Sequence, residues 1–376
     1  MLRLIYNLSL ALSLSLHVFN MGGEGGFKPF YIPAIVSCVL LFVLSPRKTK
    51  LFRLLSLFIL CAFISSVFST STTAFPGFLT IMIVALSCYG VSYADMDIVL
   101  RCLVFLIPID LVVLIYEAIT NSFYRFQGFY NDPNYLCTTL LVMLFLCIIS
   151  IKRYEGKVIK ITMVVSCVII FILILLSISR TGLACSLLLL LASLWDSIKK
   201  HLFKVVICFS FLFMAISYYA SDLMEQRWDL FYERVFDTTD NVDSASSHRG
   251  ELSRQNLRYI SDNPQYLFFG LGAGTTSGDG ASQIYGLTKY RKSESRDHNT
   301  WTSCLSEQGL FALLFFSLLF INTFRSVLKI PKGEVKYCSL GLFVVLVLFS
   351  ISLWQMSYLP FWWGLFLLNN KKLQSI

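Results

Sequence analysis

The chain has 376 residues, of which 56% are hydrophobic and only 14% charged, against about 25% charged in a soluble domain. That balance excludes a soluble globule and predicts a polytopic membrane protein. The formal charge of +9 sits mostly on short loops between apolar runs, so it reads as a topology signal and offers no basic face for nucleic acid.

Apolar stretches recur from end to end and predict spans near 4–20, 30–45, 52–70, 76–93, 99–119, 135–151, 159–177, 182–197, 204–220, 301–323, 337–357 and 359–370. The expected fold is an all-α polytopic integral membrane protein of about 12 transmembrane helices, with one large outer loop between the ninth and tenth. Residues 1–220 form a bundle of about nine helices, 221–300 a periplasmic loop with short amphipathic helices, and 301–376 the helices that complete the bundle. Arg3 precedes an apolar run with no small-residue cleavage site after it, so the first helix reads as retained.

With the N-terminus in the cytoplasm, the inner loops hold Arg47, Lys48, Lys50 and Arg53, then Lys152, Arg153, Lys157 and Lys160, then Lys199, Lys200 and Lys204. Arg325, Lys329, Lys332 and Lys336 follow, and Lys371 and Lys372 close the series. Short outer loops hold only Lys28, Arg125 and Arg180. The asymmetry puts both termini inside and the 221–300 loop outside; long loops largely escape the charge rule. All 11 cysteines fall in apolar spans and read as small packing residues, so the outer loop owes its order to packing on the bundle.

In chain order, Asp110 and Glu117 share a face of the fifth span, where they pair with an arginine or carry protons. Gly128-Phe129-Tyr130-Asn131-Asp132-Pro133-Asn134 is an outer loop whose Pro133 suits a helix start and whose Asp132 or Asn131 suits a cap. Ser177-Ile178-Ser179-Arg180-Thr181-Gly182 breaks two apolar runs. Arg180 there is either a snorkelling anchor or an anion site, since its planar fork suits phosphate oxygens.

Within the loop, 222–236 fits an amphipathic helix, 237–247 an acidic connector, and 249–261 a second helix with Leu252, Leu257 and Ile260 on one side, stopped by Asn263-Pro264. Residues 270–280, GLGAGTTSGDG, form a flexible turn; with no flanking strand and helix, they are not a dinucleotide fingerprint but a place where chains approach closely. Asp297-His298-Asn299 leads into the next span, with Asn299 or Thr300 as its cap. Asp297 is placed to orient the His298 ring. The outer loops carry no His-x-x-x-His and no Asp-x-Asp, so the chemistry there is expected to be metal-free and cofactor-free, with arginines in the cation's role.

Four segments together resemble the O-antigen polymerase and O-antigen ligase superfamily of bacterial envelope glycosyltransferases. They are Gly128 to Asn134, Ser179-Arg180-Thr181-Gly182, Arg249 with its helix, Asn263-Pro264 and Gly270 to Gly274, and His298-Asn299-Thr300-Trp301 with Glu307-Gln308-Gly309-Leu310. Leu252 to Asn256 lack the aromatic residue usual after the loop arginine. The resemblance implies that Arg180 and Arg249 hold the diphosphate of a polyprenyl-linked glycan and that His298 is the general base or positions the acceptor hydroxyl. Asn131, Asn134, Asp297, Asn299, Arg254 and Arg258 would surround the substrate.

The implied activity is polymerisation of undecaprenyl-diphosphate-linked repeats at the outer face of the bacterial inner membrane, with the lipid bilayer and a chain-length regulator as partners. One-step displacement of this kind predicts inversion at the anomeric carbon. The alternatives are a ligase that moves the glycan to lipid A-core, and a flippase or other transporter, which would need ionisable residues near the membrane midplane.

Overall fold

The structure, a computed structural model, describes residues 1–19, 28–44, 49–120, 126–130, 132–195, 249–276, 278–290 and 298–374. The span expected at 204–220, the helix at 222–236 and the connector at 237–247 lie outside these residues. Every regular element among them is helical.

The bundle begins with α1 (Leu2–Leu16), α2 (Tyr31–Val43), α3 (Lys50–Val67), α4 (Ala74–Tyr89), α5 (Met96–Thr120), α6 (Pro133–Arg153), α7 (Lys157–Leu176) and α8 (Arg180–Ser193). The loop contributes α9 (Arg249–Asp262), α10 (Gly278–Ser282) and α11 (Leu287–Tyr290). The chain then forms α12 (Thr300–Leu328), α13 (Glu334–Ser352), α14 (Leu359–Leu367) and α15 (Lys371–Gln374). Among the described residues seven helices are long and apolar enough to cross a membrane: α3, α4 with its following turn, α5, α6, α7, α12 and α13. Three shorter apolar helices, α1, α2 and α8, stand beside them.

The span expected at 359–370 is not one. Its helix has nine residues, all buried, and so extends only about 13 Å against a hydrocarbon core of about 30 Å. It is a plug of aromatic side chains, Trp362 and Trp363 among them, inside the bundle.

Helix α6 is apolar nearly all round, a pattern shared by core and lipid-facing helices, and here it is buried almost throughout. It packs against α5, α7, α8, α13 and α14. By contrast α5 and α7 turn Phe105, Ile109 and Val112, and Val158, Ile161 and Val168, outward, as lipid-facing helices do. Because α6 is central, its first turn is held at the middle of one end of the bundle, hereafter the site end.

The opposite, basic end is closed by ion pairs. Arg153 meets Asp97 at 2.5 Å, Lys372 meets Asp95 at 2.8 Å, and Lys152 meets Glu334. Asp110 and Glu117 are both buried, and Asp110 accepts a 2.8 Å hydrogen bond from Ser15 Oγ. Among the described residues neither pairs with an arginine.

Candidate functional site

Pro133 occupies the first turn of α6, where its missing N–H costs nothing. Asp132 is the cap: its Oδ1 accepts from the Asn134 backbone N–H and from Asn134 Nδ2, both at 2.7 Å. The other end of the same amide, Asn134 Oδ1, accepts from Ser179 Oγ at 2.6 Å. Ser179 in turn caps α8, accepting from Gly182 N–H at 3.0 Å.

One buried asparagine therefore joins the N-termini of two helices, and Arg180, the first residue of α8, stands exposed beside them. The turn before it is strained. Ile178 has φ 49°, a left-handed conformation that a β-branched residue rarely adopts. Gly182 permits the close approach of the helices, since a Cβ there would lie 2.5 Å from Cys137 Sγ.

A third helix start is tied to the same place. Asn299 caps α12, its Oδ1 accepting from Trp301 N–H at 2.9 Å and Thr302 N–H at 3.3 Å, and His298 precedes it, half-buried. Thr300 Oγ1 donates to the Leu353 carbonyl at 2.5 Å and accepts from Gln355 N–H at 3.0 Å. Gln355 Nε2 reaches Thr138 Oγ1 at 3.4 Å, one turn along α6 from Asn134. The His298 segment and the Arg180 segment thus share α6 as a support.

Helix α9, which begins at Arg249, is bound to α12 by Thr302 Oγ1 donating to Ser253 Oγ at 3.3 Å. Its buried face is Leu252, Gln255, Asn256, Tyr259 and Ile260. Leu257, expected on that face, is instead exposed: five residues from Leu252 places it about 140° around the helix. Arg254 is exposed and engaged with Glu251 at 3.4 Å and the Gly250 carbonyl at 3.3 Å, and Arg258 is exposed. Asn131, Asp297 and the Arg249 side chain lie outside the description. The helix stops at Asp262, before Asn263-Pro264, as expected.

The glycine-rich segment, expected to be a flexible turn, is clamped to the bundle. Gly270, Gly272 and Gly274 have φ of 75°, 109° and 74°. Leu271 N–H donates to the Ser306 carbonyl at 2.9 Å and Gly272 N–H to the Glu307 carbonyl at 2.8 Å. Ser66 Oγ accepts from Ala273 N–H at 3.1 Å, and Ser69 Oγ donates to the Leu271 carbonyl at 2.5 Å.

At the centre is Glu307, fully buried in a π-helical turn, Cys304–Gln308. Its Oε2 accepts from Gly274 N–H at 2.9 Å and its Oε1 from Thr276 Oγ1 at 2.6 Å. The N–H groups of this glycine turn are thus taken within the protein: those of Leu271 and Gly272 by carbonyls of α12, that of Ala273 by Ser66 and that of Gly274 by the Glu307 carboxyl group. A small second core of Tyr259, Ile260, Leu271, Ala281, Ile284 and Leu287 stiffens the rest of the loop.

The sequence motifs include Glu307 but give it no partner in the glycine-rich segment, and they do not mark Thr138, Gln355, Ser66 or Ser69 as parts of this assembly.

Residues 165–317 match the family model described as O-Antigen ligase. The match runs from α7 through the loop into α12, and takes in Arg180, Arg249, the glycine clamp, His298 and Glu307. It supports the O-antigen polymerase and ligase superfamily for this chain, the family that the four motifs resemble. At that level the chain is similar to membrane glycosyltransferases of surface-polysaccharide assembly, and its apolar helices are those of a multi-pass membrane protein. No curated protein matches it.

Proposed function

We propose that this protein is an O-antigen polymerase of the bacterial inner membrane, with the site end facing the periplasm and both chain termini in the cytoplasm. It moves a growing glycan from undecaprenyl diphosphate onto a sugar hydroxyl of the next lipid-linked repeat. The observation that carries this reading is the 2.6 Å hydrogen bond between Ser179 and Asn134. It sets the positive ends of α6 and α8 side by side with the Arg180 guanidinium exposed at the lip. A lipid diphosphate leaving group needs this kind of fixed positive field, and the planar guanidinium fork suits its oxygens.

His298, half-buried at the start of α12, serves as general base for the acceptor hydroxyl, a role suited to a group that titrates near neutrality. Arg249 closes over the diphosphate from the loop. Asn131, Asp297, Arg254 and Arg258 line the approach of the glycan, while Asn134 and Asn299 act by fixing the helix starts. A chain-length regulator sets how many repeats are added.

The match to the O-antigen ligase family favours a second reading, a ligase that passes the same glycan to lipid A-core. Lipopolysaccharide gels of a deletion strain separate the two: loss of a polymerase leaves core bearing one repeat, and loss of a ligase leaves core bearing none. His298→Ala and Arg180→Ala should each abolish long chains at unchanged protein level. Full-length chains from both variants would sink the mechanism, and repeats that never reach the outer face would favour the transporter.

A further inference from the structure

Three clefts run into one another at the basic end. The first, of about 520 Å³, lies between the start of α3, the turn after α4 and residues 369–372. It shares Lys50, Asn322 and Ser326 with a cleft of about 460 Å³ that reaches Arg325 and Lys329 at the end of α12. It shares Tyr93 and Lys372 with a third of about 430 Å³ that extends to Arg3. The groove is remote from the candidate site: the 29 residues of α12 that separate them extend roughly 43 Å.

Of the cations at this end, Lys152 and Arg153 outside the groove and Lys372 within it each have a carboxylate partner, and that of Lys372, Asp95, lines the groove as well. Lys50, Arg325, Lys329 and Lys371 come from three separate helices, are exposed, and have no acidic partner among the described residues. Cations gathered along one concavity focus a positive potential there, which favours an anion. The capped start of α3 at Thr49 adds its helix dipole to the same field. On the groove wall Asn322 donates to Asn369 at 3.4 Å, so hydrogen-bonding amides stand beside the charges.

We propose that this groove binds a phosphate-bearing anion, either the headgroup of an acidic phospholipid or a free phosphorylated molecule. The proposal is independent of the transferase reading. Lysine and arginine together suit phosphate oxygens, and basic pockets between transmembrane helices on the cytoplasmic side take such headgroups. Sequence charge alone assigns this end to the cytoplasm; the structure adds that cations from separate helices converge on one cleft.

The test uses the full chain in detergent, mixed with phosphatidylglycerol or phosphatidylcholine and read by native mass spectrometry, with inorganic phosphate as a soluble probe in thermal-shift assays. Phosphatidylglycerol should be retained in preference to phosphatidylcholine, and K50Q/R325Q should lower that retention roughly tenfold or more. K157Q/K160Q removes two exposed charges from the same end but outside the groove, and should change little. Should K50Q/R325Q fail to fold, Lys371→Gln on the short α15 gives the same reading.

A melting shift with inorganic phosphate that K50Q/R325Q abolishes, without lipid retention, would assign the groove to a soluble phosphate. Equal loss in both double variants, or no response to either probe, would overturn the proposal.

Discussion

Replacing Glu307 by alanine should free the glycine clamp while leaving the bundle folded. Its carboxyl group accepts from Gly274 N–H at 2.9 Å and from Thr276 Oγ1 at 2.6 Å, with no exposure to solvent. Each donor left unsatisfied in a buried site costs about 1–3 kcal/mol, so the two together weaken the clamp by about 2–6 kcal/mol. The backbone bonds from Leu271 and Gly272 to α12 remain, which confines the effect to residues after 272.

Hydrogen exchange in nanodiscs reads this directly. The Gly274 and Thr276 amides should exchange at least about 30-fold faster, the change that 2 kcal/mol of easier local opening produces, while amides of α6 are unchanged. Glu307→Gln should fall between. Its Oε1 can still accept from Gly274 and its Nε2 can donate to the Thr276 hydroxyl, but the Thr276 N–H, which donates to the carboxyl group at 3.4 Å, loses its acceptor, so only part of the geometry survives and charge assistance does not. Unaltered exchange at 274 and 276 in the alanine variant would refute the clamp.

Asn134→Ala removes the bridge between the starts of α6 and α8 and leaves the buried Ser179 hydroxyl without its acceptor, at a cost of about 1–3 kcal/mol; long glycan chains should be lost while thermal melting of purified protein shows it still folded. Gly182→Ala drives a methyl group to within 2.5 Å of Cys137 Sγ and should destabilise by about 1–3 kcal/mol of overpacking. Adding Cys137→Ala removes that sulfur, and a melting temperature that does not partly recover would refute the close packing. At the basic end, the hydrogen-bonded Lys372 ammonium holds the Asp95 carboxyl below the usual carboxylate range. A depressed folded value means stability present above the unfolded pKa and lost as pH falls through the folded one, so melting curves of Asp95→Asn should decline less steeply on the acid side than wild type.

What could be read from the chain was local. Asp132 beside Asn131, and Asn299 beside Thr300, are legible as candidate caps because a capping side chain bonds backbone two or three residues away. Asn263-Pro264 is legible as a stop for the same reason. The positive φ of Gly270, Gly272 and Gly274 fits the expected turn, but nothing within eleven residues reveals that the turn is bound to a carboxyl group 33 positions from Gly274. The Asn134–Ser179 bridge spans 45 positions and depends on α6 lying at the centre of the bundle. Hydropathy cannot distinguish α14 from a span, because a buried plug and a lipid-facing helix are equally apolar; only the length at which the helix ends separates them.

The two halves of the candidate site meet on α12, and this gives its π-helical turn a function. His298 and the Asn299 cap stand before that turn, and Glu307 lies within it. Downstream, Gly309 to Leu328 is packed along α3. Each residue of an α-helix advances about 100°, so the extra residue of a wide turn resets the angular phase of everything on its N-terminal side.

Gly309, at φ 87°, completes the adjustment: a side chain there would strike the Phe268 carbonyl. One helix thus fixes His298 through its cap, α9 through Thr302 and the glycine clamp through Glu307. Its rotation is set by α3 behind it. The start of α12 at His298 and the helix that begins at Arg249 are then held to one support.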